Sequence, residues 1–233
     1  MCPTRASKVG LKRAAPRRAG PVRPAIRRLG AVEREQQILD AAIQFFAEVG
    51  FAGQTRELAA RLGVTQPLLY RYFPTKQSLI ERVFDEIYLK RIDPGWRKML
   101  TDRSRSLHDR LCEFYRRYAE ATYRYEWIRI YMFSGLMGEA INRRYIQVVE
   151  EKVLRPMCVE LRNVCGLPDI KPAAIGELDL EQAWVMHGGL FYYAVRKHIY
   201  HSRVADDFAA VVARTVDVVI EGLKSVTAGK ATR

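Results

Sequence analysis

The chain contains no apolar run approaching the ~18 residues that a membrane span requires, and its N-terminal segment lacks the apolar stretch of a secretory leader. Both absences point to a cytoplasmic protein with no membrane partner. The four cysteines, Cys2, Cys112, Cys158 and Cys165, form no C-x-x-C pair. They read as reduced thiols, not as a disulfide frame or a zinc knuckle. Histidine is scarce, at four residues, and no G-x-S-x-G, P-loop, H-E-x-x-H or dinucleotide fingerprint occurs. Carboxylates are not paired in a recognisable acid–base arrangement. No enzyme, metal site or cofactor is therefore expected, and no catalytic residue is assigned. Strand-like alternation with hairpin signals and internal repeats are missing as well.

Acidic residues are absent from positions 1–30, which hold Arg5, Lys8, Lys12, Arg13, Arg17, Arg18, Arg23, Arg27 and Arg28. That arm carries +9 of the chain's net +13. With four prolines and no apolar period it cannot build a core, so residues 1–30 are expected to be a disordered basic arm. A basic arm beside a folded domain suits a polyanion, most commonly nucleic acid. A solubilising tail or an over-long start remain alternatives. The whole chain, 48% hydrophobic and 28% charged over 233 residues, has the balance of a foldable protein of one large or two small domains.

From Glu33 onward the periodicity is helical. Ile38, Leu39, Ala42, Phe45, Phe46 and Val49 make one apolar stripe, ended by Gly50. Thr55 is expected to cap a short helix that buries Leu58, Ala59 and Leu62 and stops at Gly63. Thr65 caps a third helix, in which Pro67 is tolerated in the first turn. Beyond Pro74, Thr75 starts a longer helix with Leu79, Ile80, Val83, Phe84, Ile87 and Tyr88 on one side. Further helices are expected over about 104–125, 127–138, 141–165, 179–201 and 205–227, with Pro156 kinking or interrupting the third of these. The fold class is all-α.

Two short helices joined by a Gly-containing turn and preceded by a packing helix are the parts of a helix-turn-helix. In the second helix Leu69 and Phe73, at i and i+4, face inward. Thr65, Gln66, Pro67, Leu68, Tyr70, Arg71 and Tyr72 remain on the other faces. Gln66 suits adenine edges and Leu68 a thymine methyl, whereas the hydroxyls of Thr65, Tyr70 and Tyr72 suit phosphate oxygens. Lys76 opposes the helix macrodipole, which an anion such as a DNA phosphate would relieve. A solvated surface lysine is the plainer reading.

The stretch Ile38-Leu39-Asp40-Ala41-Ala42, Phe46-Ala47-Glu48-Val49-Gly50-Phe51, Thr55-Arg56-Glu57-Leu58-Ala59, Leu62-Gly63-Val64-Thr65 and Leu69-Tyr70-Arg71-Tyr72-Phe73-Pro74-Thr75-Lys76 resembles the TetR family of bacterial transcriptional regulators (TetR/AcrR type). The match covers roughly residues 36–80. It implies a three-helix DNA-binding domain over residues 31–80 and a helical effector-binding and dimerisation domain over 81–233. It also implies a homodimer on a palindromic double-stranded operator, acting as a repressor that a small molecule releases. The DNA-contacting set on this reading is Thr55, Arg56, Thr65, Gln66, Pro67, Leu68, Tyr70, Arg71, Tyr72 and Lys76. The basic arm and Pro67-Leu68 depart from the family pattern.

The C-terminal part has three features. Gly188 and Gly189 lie mid-helix, where each costs ~1 kcal/mol relative to Ala. Close helix approach would offset that cost, either within the chain or in a dimer bundle with the 205–227 helix. Aromatic residues crowd the central helices as core or as pocket lining. Their many phenols need partners. Phe114, Tyr118, Trp127 and Tyr131, with Trp184 and His187 opposite, are the candidate lining for a largely apolar effector. His198 and His201 stand at i, i+3, but no carboxylate or thiolate completes a metal set.

Overall fold

The computed structural model describes residues 30–137 and 140–231. Apart from Gly30, the basic arm lies outside the described residues, and so does Cys2. Among the described residues every regular element is helical, and Cys112, Cys158 and Cys165 are free thiols.

Helix α1 (Ala31–Val49) presents most of the expected stripe inward, with Ile38, Leu39, Ala42, Phe45 and Phe46 buried, whereas Val49 in its last turn is exposed. The chain then leaves the helix at Gly50, whose φ of 74° and ψ of −178° fall in a region open almost only to glycine. Helix α2 (Thr55–Arg61) and α3 (Gln66–Tyr72) pack their Leu58 and Leu69 on the same core. Thr65 caps α3 as expected, its hydroxyl accepting from the Leu68 N–H at 3.4 Å. Thr55 does not cap α2. Gln54 holds that position with no side-chain bond, and Thr55 is the first helical residue with its side chain turned inward. Helix α4 (Lys76–Ile87) opens on a reciprocal pair in which Thr75 and Ser78 bond each other's backbone. This helix runs across position 80, the expected boundary between the two domains.

The remaining helices are α5 (Gly95–Thr101), α6 (Leu107–Thr122), α7 (Tyr125–Leu136), α8 (Ala140–Val149), α9 (Arg155–Val164), α10 (Glu177–His198) and α11 (Phe208–Ala231). Helix α5 has only two turns between breakers, too short a period to be read from sequence, yet its Trp96 and Leu100 are buried. The helix expected over 141–165 is interrupted ahead of Pro156. A five-residue π segment, Glu150–Leu154, joins α8 to α9. The wider turn accommodates a ring that would otherwise meet the carbonyl one turn back. The buried apolar side chains of both halves belong to one continuous cluster.

One face of α10 and α11 is not covered by another helix among the described residues. Leu178, Val185 and Tyr192 stand exposed at seven-residue intervals on α10, and Val218 and Val226 on α11. A Cβ added at Gly188, Gly189 or Gly222 would meet nothing within 4 Å. Close packing inside the chain therefore does not account for these glycines.

At the junction of the halves, a Cβ on Gly50 would come within 3.0 Å of the Phe133 ring of α7. Gly50→Ala should lower stability by about 1–3 kcal/mol through its backbone conformation, with overpacking against Phe133 added. The midpoint of urea unfolding checks this. An unchanged midpoint would mean that the junction yields freely.

Candidate nucleic-acid interface and effector cavity

Two side chains of α3 converge on one hydroxyl of α2. Thr55 Oγ1 lies 2.8 Å from Tyr70 Oη and accepts from Gln66 Nε2 at 3.1 Å. Thr55 was expected on the outer face. It is buried instead, at 6% exposure, because Tyr70 and Gln66 fold over it. Its hydroxyl is satisfied within the protein and fixes the orientation of those two side chains. Arg56, Thr65, Pro67 and Arg71 are exposed, whereas Gln66, Leu68, Tyr70, Tyr72 and Lys76 are half-buried.

The charges around this face divide in two. Arg61 pairs with Glu48 and Glu57, Arg82 with Glu86 at 2.9 Å, and Lys90 with Glu86 at 2.7 Å. Lys90 and Arg82 together hold the Glu86 carboxyl below its ordinary range. Arg56, Arg71 and Lys76 form no ion pair among the described residues. Lys76 is the first residue of α4, whose first turn contains no acid. Three uncompensated cations and a helix N-terminus thus flank the exposed side of α3, an arrangement that favours phosphate.

In the second half, a cavity of about 70 Å³ lies between α6, α7, α8 and α10. Five of the six expected lining residues surround it: Tyr118, Trp127, Tyr131, Trp184 and His187. Phe114 does not. It sits one turn before Tyr118 on α6, fully buried edge-on against Trp96 with centroids 5.6 Å apart. Tyr145, Ile146 and Val149 complete the wall from α8, and Gly188 and Phe191 from α10. The α8 residues follow an i, i+1, i+4 stripe visible in the sequence, and Phe191 lies one turn beyond His187. Nothing in either pattern separates cavity lining from ordinary core.

The lining is neutral. Burial lowers the His187 pKa to about 4, and Nδ1 lies 3.4 Å from Tyr115 Oη. Burial pushes the Tyr118 and Tyr145 phenols up, and their hydroxyls bond each other at 2.7 Å. Among the described residues Trp127 Nε1, on a residue 3% exposed, finds no hydrogen-bond partner. Trp127 and Tyr131 stack nearly parallel, with centroids 5.2 Å apart and planes at 12°.

Residues 38–83 match the family model described as bacterial regulatory proteins, tetR family. They make up a TetR-family domain. The tetracycline repressor protein class A from transposon 1721 of Escherichia coli is 34% identical over 85 residues, which are 33% of this chain and 39% of that repressor. The class D repressor of Escherichia coli is 29% identical over 87 residues, 34% of this chain and 40% of its own. The chain thus spans about two fifths of the length of the curated relatives it matches. A tetR-family transcriptional regulator from Streptomyces coelicolor superposes with a TM-score of 0.57 at 19% identity, covering 87% of this chain and 85% of its own. A second such regulator, from Mesorhizobium loti, gives 0.54 at 16% identity, covering 84% and 96%. These two share the fold across both halves.

Two side chains, Tyr88 and Arg129, tie α7 to the helices of the TetR domain. Tyr88, just past α4, donates its hydroxyl to the Trp127 carbonyl at 3.1 Å and packs on the rings of Trp127, Tyr131 and Tyr145. On the other side of α7, Arg129 donates to the Ala47 and Glu48 carbonyls at the end of α1. Helix α7 therefore carries cavity wall and domain anchor together.

The neutral state of His187 has a pH signature. Unfolding raises its pKa toward 6.5, so the unfolded chain binds the proton first as pH falls. Stability should be full above pH 6.5 and decline toward pH 4, by up to about 1.4 kcal/mol per unit from this residue. His187→Gln should flatten that decline when denaturation is followed from pH 7 to pH 4.5. An identical slope in the variant would show that His187 is solvated.

Proposed function

We propose that this chain is a DNA-binding transcriptional regulator, a cytoplasmic homodimeric repressor that leaves a palindromic operator when a small, largely apolar effector binds. The observation that carries the reading is the exposed side of α3, flanked by Arg56, Arg71 and Lys76 without acidic partners, in a TetR-family domain. Gln66 and Leu68 are assigned to base edges. Arg56, Thr65, Tyr70, Arg71, Tyr72 and Lys76 are assigned to the backbone, with Pro67 at the approach. Thr55 acts by aligning Gln66 and Tyr70.

The unpartnered face of α10 and α11 supports a homodimer. Exposed valines beside Gly188, Gly189 and Gly222 suit a close four-helix contact with a second copy. The cavity supports the effector site. Occupancy would act on the rings that Tyr88 touches and so on the end of α4. Release is then a population shift between two spacings of the reading heads, with the effector favouring the spacing that does not fit DNA.

Selection from random duplexes should enrich a palindromic site, and failure to enrich any site would overturn the reading. On that site Tyr70→Phe with Lys76→Ala should weaken operator and random DNA alike and flatten the salt dependence. Gln66→Ala should instead erode discrimination by ~1–3 kcal/mol at one base pair.

Val218, 67% exposed in the single chain, can be changed without disturbing the monomer core. Val218→Glu should yield folded monomers in sedimentation analysis. A dimeric variant would move the interface elsewhere.

A further inference from the structure

We infer that Thr55 is a specificity-determining positioning residue that touches no DNA itself. Its hydroxyl joins Gln66 to Tyr70 in a one-way hydrogen-bond relay, so that a base contact and a phosphate contact are set together; this rests on the DNA-binding reading above. The three groups meet at one atom. Thr55 Oγ1 accepts from Gln66 Nε2 at 3.1 Å and lies 2.8 Å from Tyr70 Oη. These three side chains form no other hydrogen bond among the described residues. Thr55 belongs to α2 and the other two to α3, so the relay crosses the turn between the two helices.

A count of hydrogens gives the direction. A threonine hydroxyl has one hydrogen to donate and two lone pairs to accept with. Gln66 presents its nitrogen and so occupies one lone pair. Were Tyr70 the donor as well, the Thr55 hydrogen would be left without an acceptor on a residue only 6% exposed. The arrangement that satisfies the buried hydroxyl therefore runs from Gln66 N–H to Thr55 O–H to Tyr70 Oη. At its far end the Tyr70 hydrogen has no acceptor inside the protein, and Tyr70 is half-buried on α3. That hydrogen is available to a phosphate oxygen. At the near end Gln66 keeps its carboxamide oxygen and one N–H, the pair that matches adenine N6 and N7. Hydrogen bonds in a chain polarise one another, so a phosphate held by Tyr70 tightens the hold on Gln66.

Thr55→Val removes the hydroxyl, Thr55→Ser keeps it, and Tyr70→Phe removes the end of the relay. Each is measured as full-length protein on random-sequence duplex and on the duplex enriched by selection, with its single-base variants. On random duplex Tyr70→Phe should weaken binding by about ten-fold, the value of a hydrogen bond to a charged group. Thr55→Val should lose part of that, and the double variant should bind no more weakly than Tyr70→Phe. On the enriched site Thr55→Val should also lose at least about five-fold discrimination at the Gln66 base pair, which Tyr70→Phe should keep. Thr55→Ser should restore both. Additive losses in the double variant would mean that Thr55 bonds DNA directly, and would overturn the relay. So would full discrimination in Thr55→Val, or undiminished binding by Tyr70→Phe. A measurement without DNA separates the relay from the reading it rests on. The Gln66 side-chain amide resonances should move to the position of a free amide in Thr55→Val and not in Thr55→Ser, and unmoved resonances in Thr55→Val would overturn the relay. Failure of the wild type to bind either duplex would overturn the DNA reading, and this role of Thr55 with it, even where the amide shift is seen.

Discussion

Tyr88 is the side chain on which the two halves depend. It stands where α4 ends, is 1% exposed, and gives its hydroxyl to a backbone carbonyl of α7. Burying a phenol in this way is favourable only if the hydroxyl finds an acceptor. The Trp127 carbonyl supplies one, so the end of α4 is tied to α7 by hydrogen bond and ring contact together. Each fully buried large apolar side chain of the cluster contributes about 1.5–3 kcal/mol against the unfolded chain. Disturbing Trp127 or Tyr131 therefore acts on the orientation of α4 and on the cavity in one event. Arg129 adds a second tie by bonding the last carbonyls of α1, where a cation also meets the negative end of that helix.

Charge is distributed by the same logic of satisfaction. The C-terminal half buries an ion pair, Arg110 with Glu160 at 2.8 Å, and Arg103 from the rim bonds the same carboxylate and Asp169. Removing one partner of such a pair costs about 3–5 kcal/mol because the other charge stays buried. On the outer side of the TetR domain Arg61 is likewise paired, with two glutamates. Near α3, Arg56, Arg71 and Lys76 stand without an acid among the described residues. In water this costs little, since exposed pairs contribute about 0–1 kcal/mol. Against a polyanion each uncompensated cation can displace a condensed counterion, which is where binding energy to DNA arises.

The elements that local chemistry governs were legible in the residues. The stripe from Ile38 to Phe46, the Thr65 and Thr75 caps and the inward pair Leu69 and Phe73 all follow from helical period and backbone donors at helix ends. Other features were not. Thr55 has the sequence signature of a cap, and it became buried because Tyr70, fifteen residues on, offered a better partner. Pro156 has the signature of a kink or interruption, but nothing in the residue foretold that the interruption would take the form of a π turn. Phe114 and Tyr118 share one helical stripe, yet only Tyr118 reaches the cavity, since a turn of helix moves a side chain about 5.4 Å along the axis.

The sequence by itself determined an all-helical chain, a helix-turn-helix with its inward and outward residues, and a C-terminal half rich in aromatic side chains. These depend on spacing within ten or so residues and on caps that bond their own helix. Tertiary structure alone decided which aromatics enclose space and which fill it, and that the Trp127 N–H is left without an acceptor. It decided too that Gly188 and Gly189 meet nothing inside the chain. Whether an aromatic face meets a neighbour or a void depends on how α6, α7, α8 and α10 cross, and the crossing is set by side chains up to 72 residues apart, as between Tyr115 and His187. No local period encodes that distance.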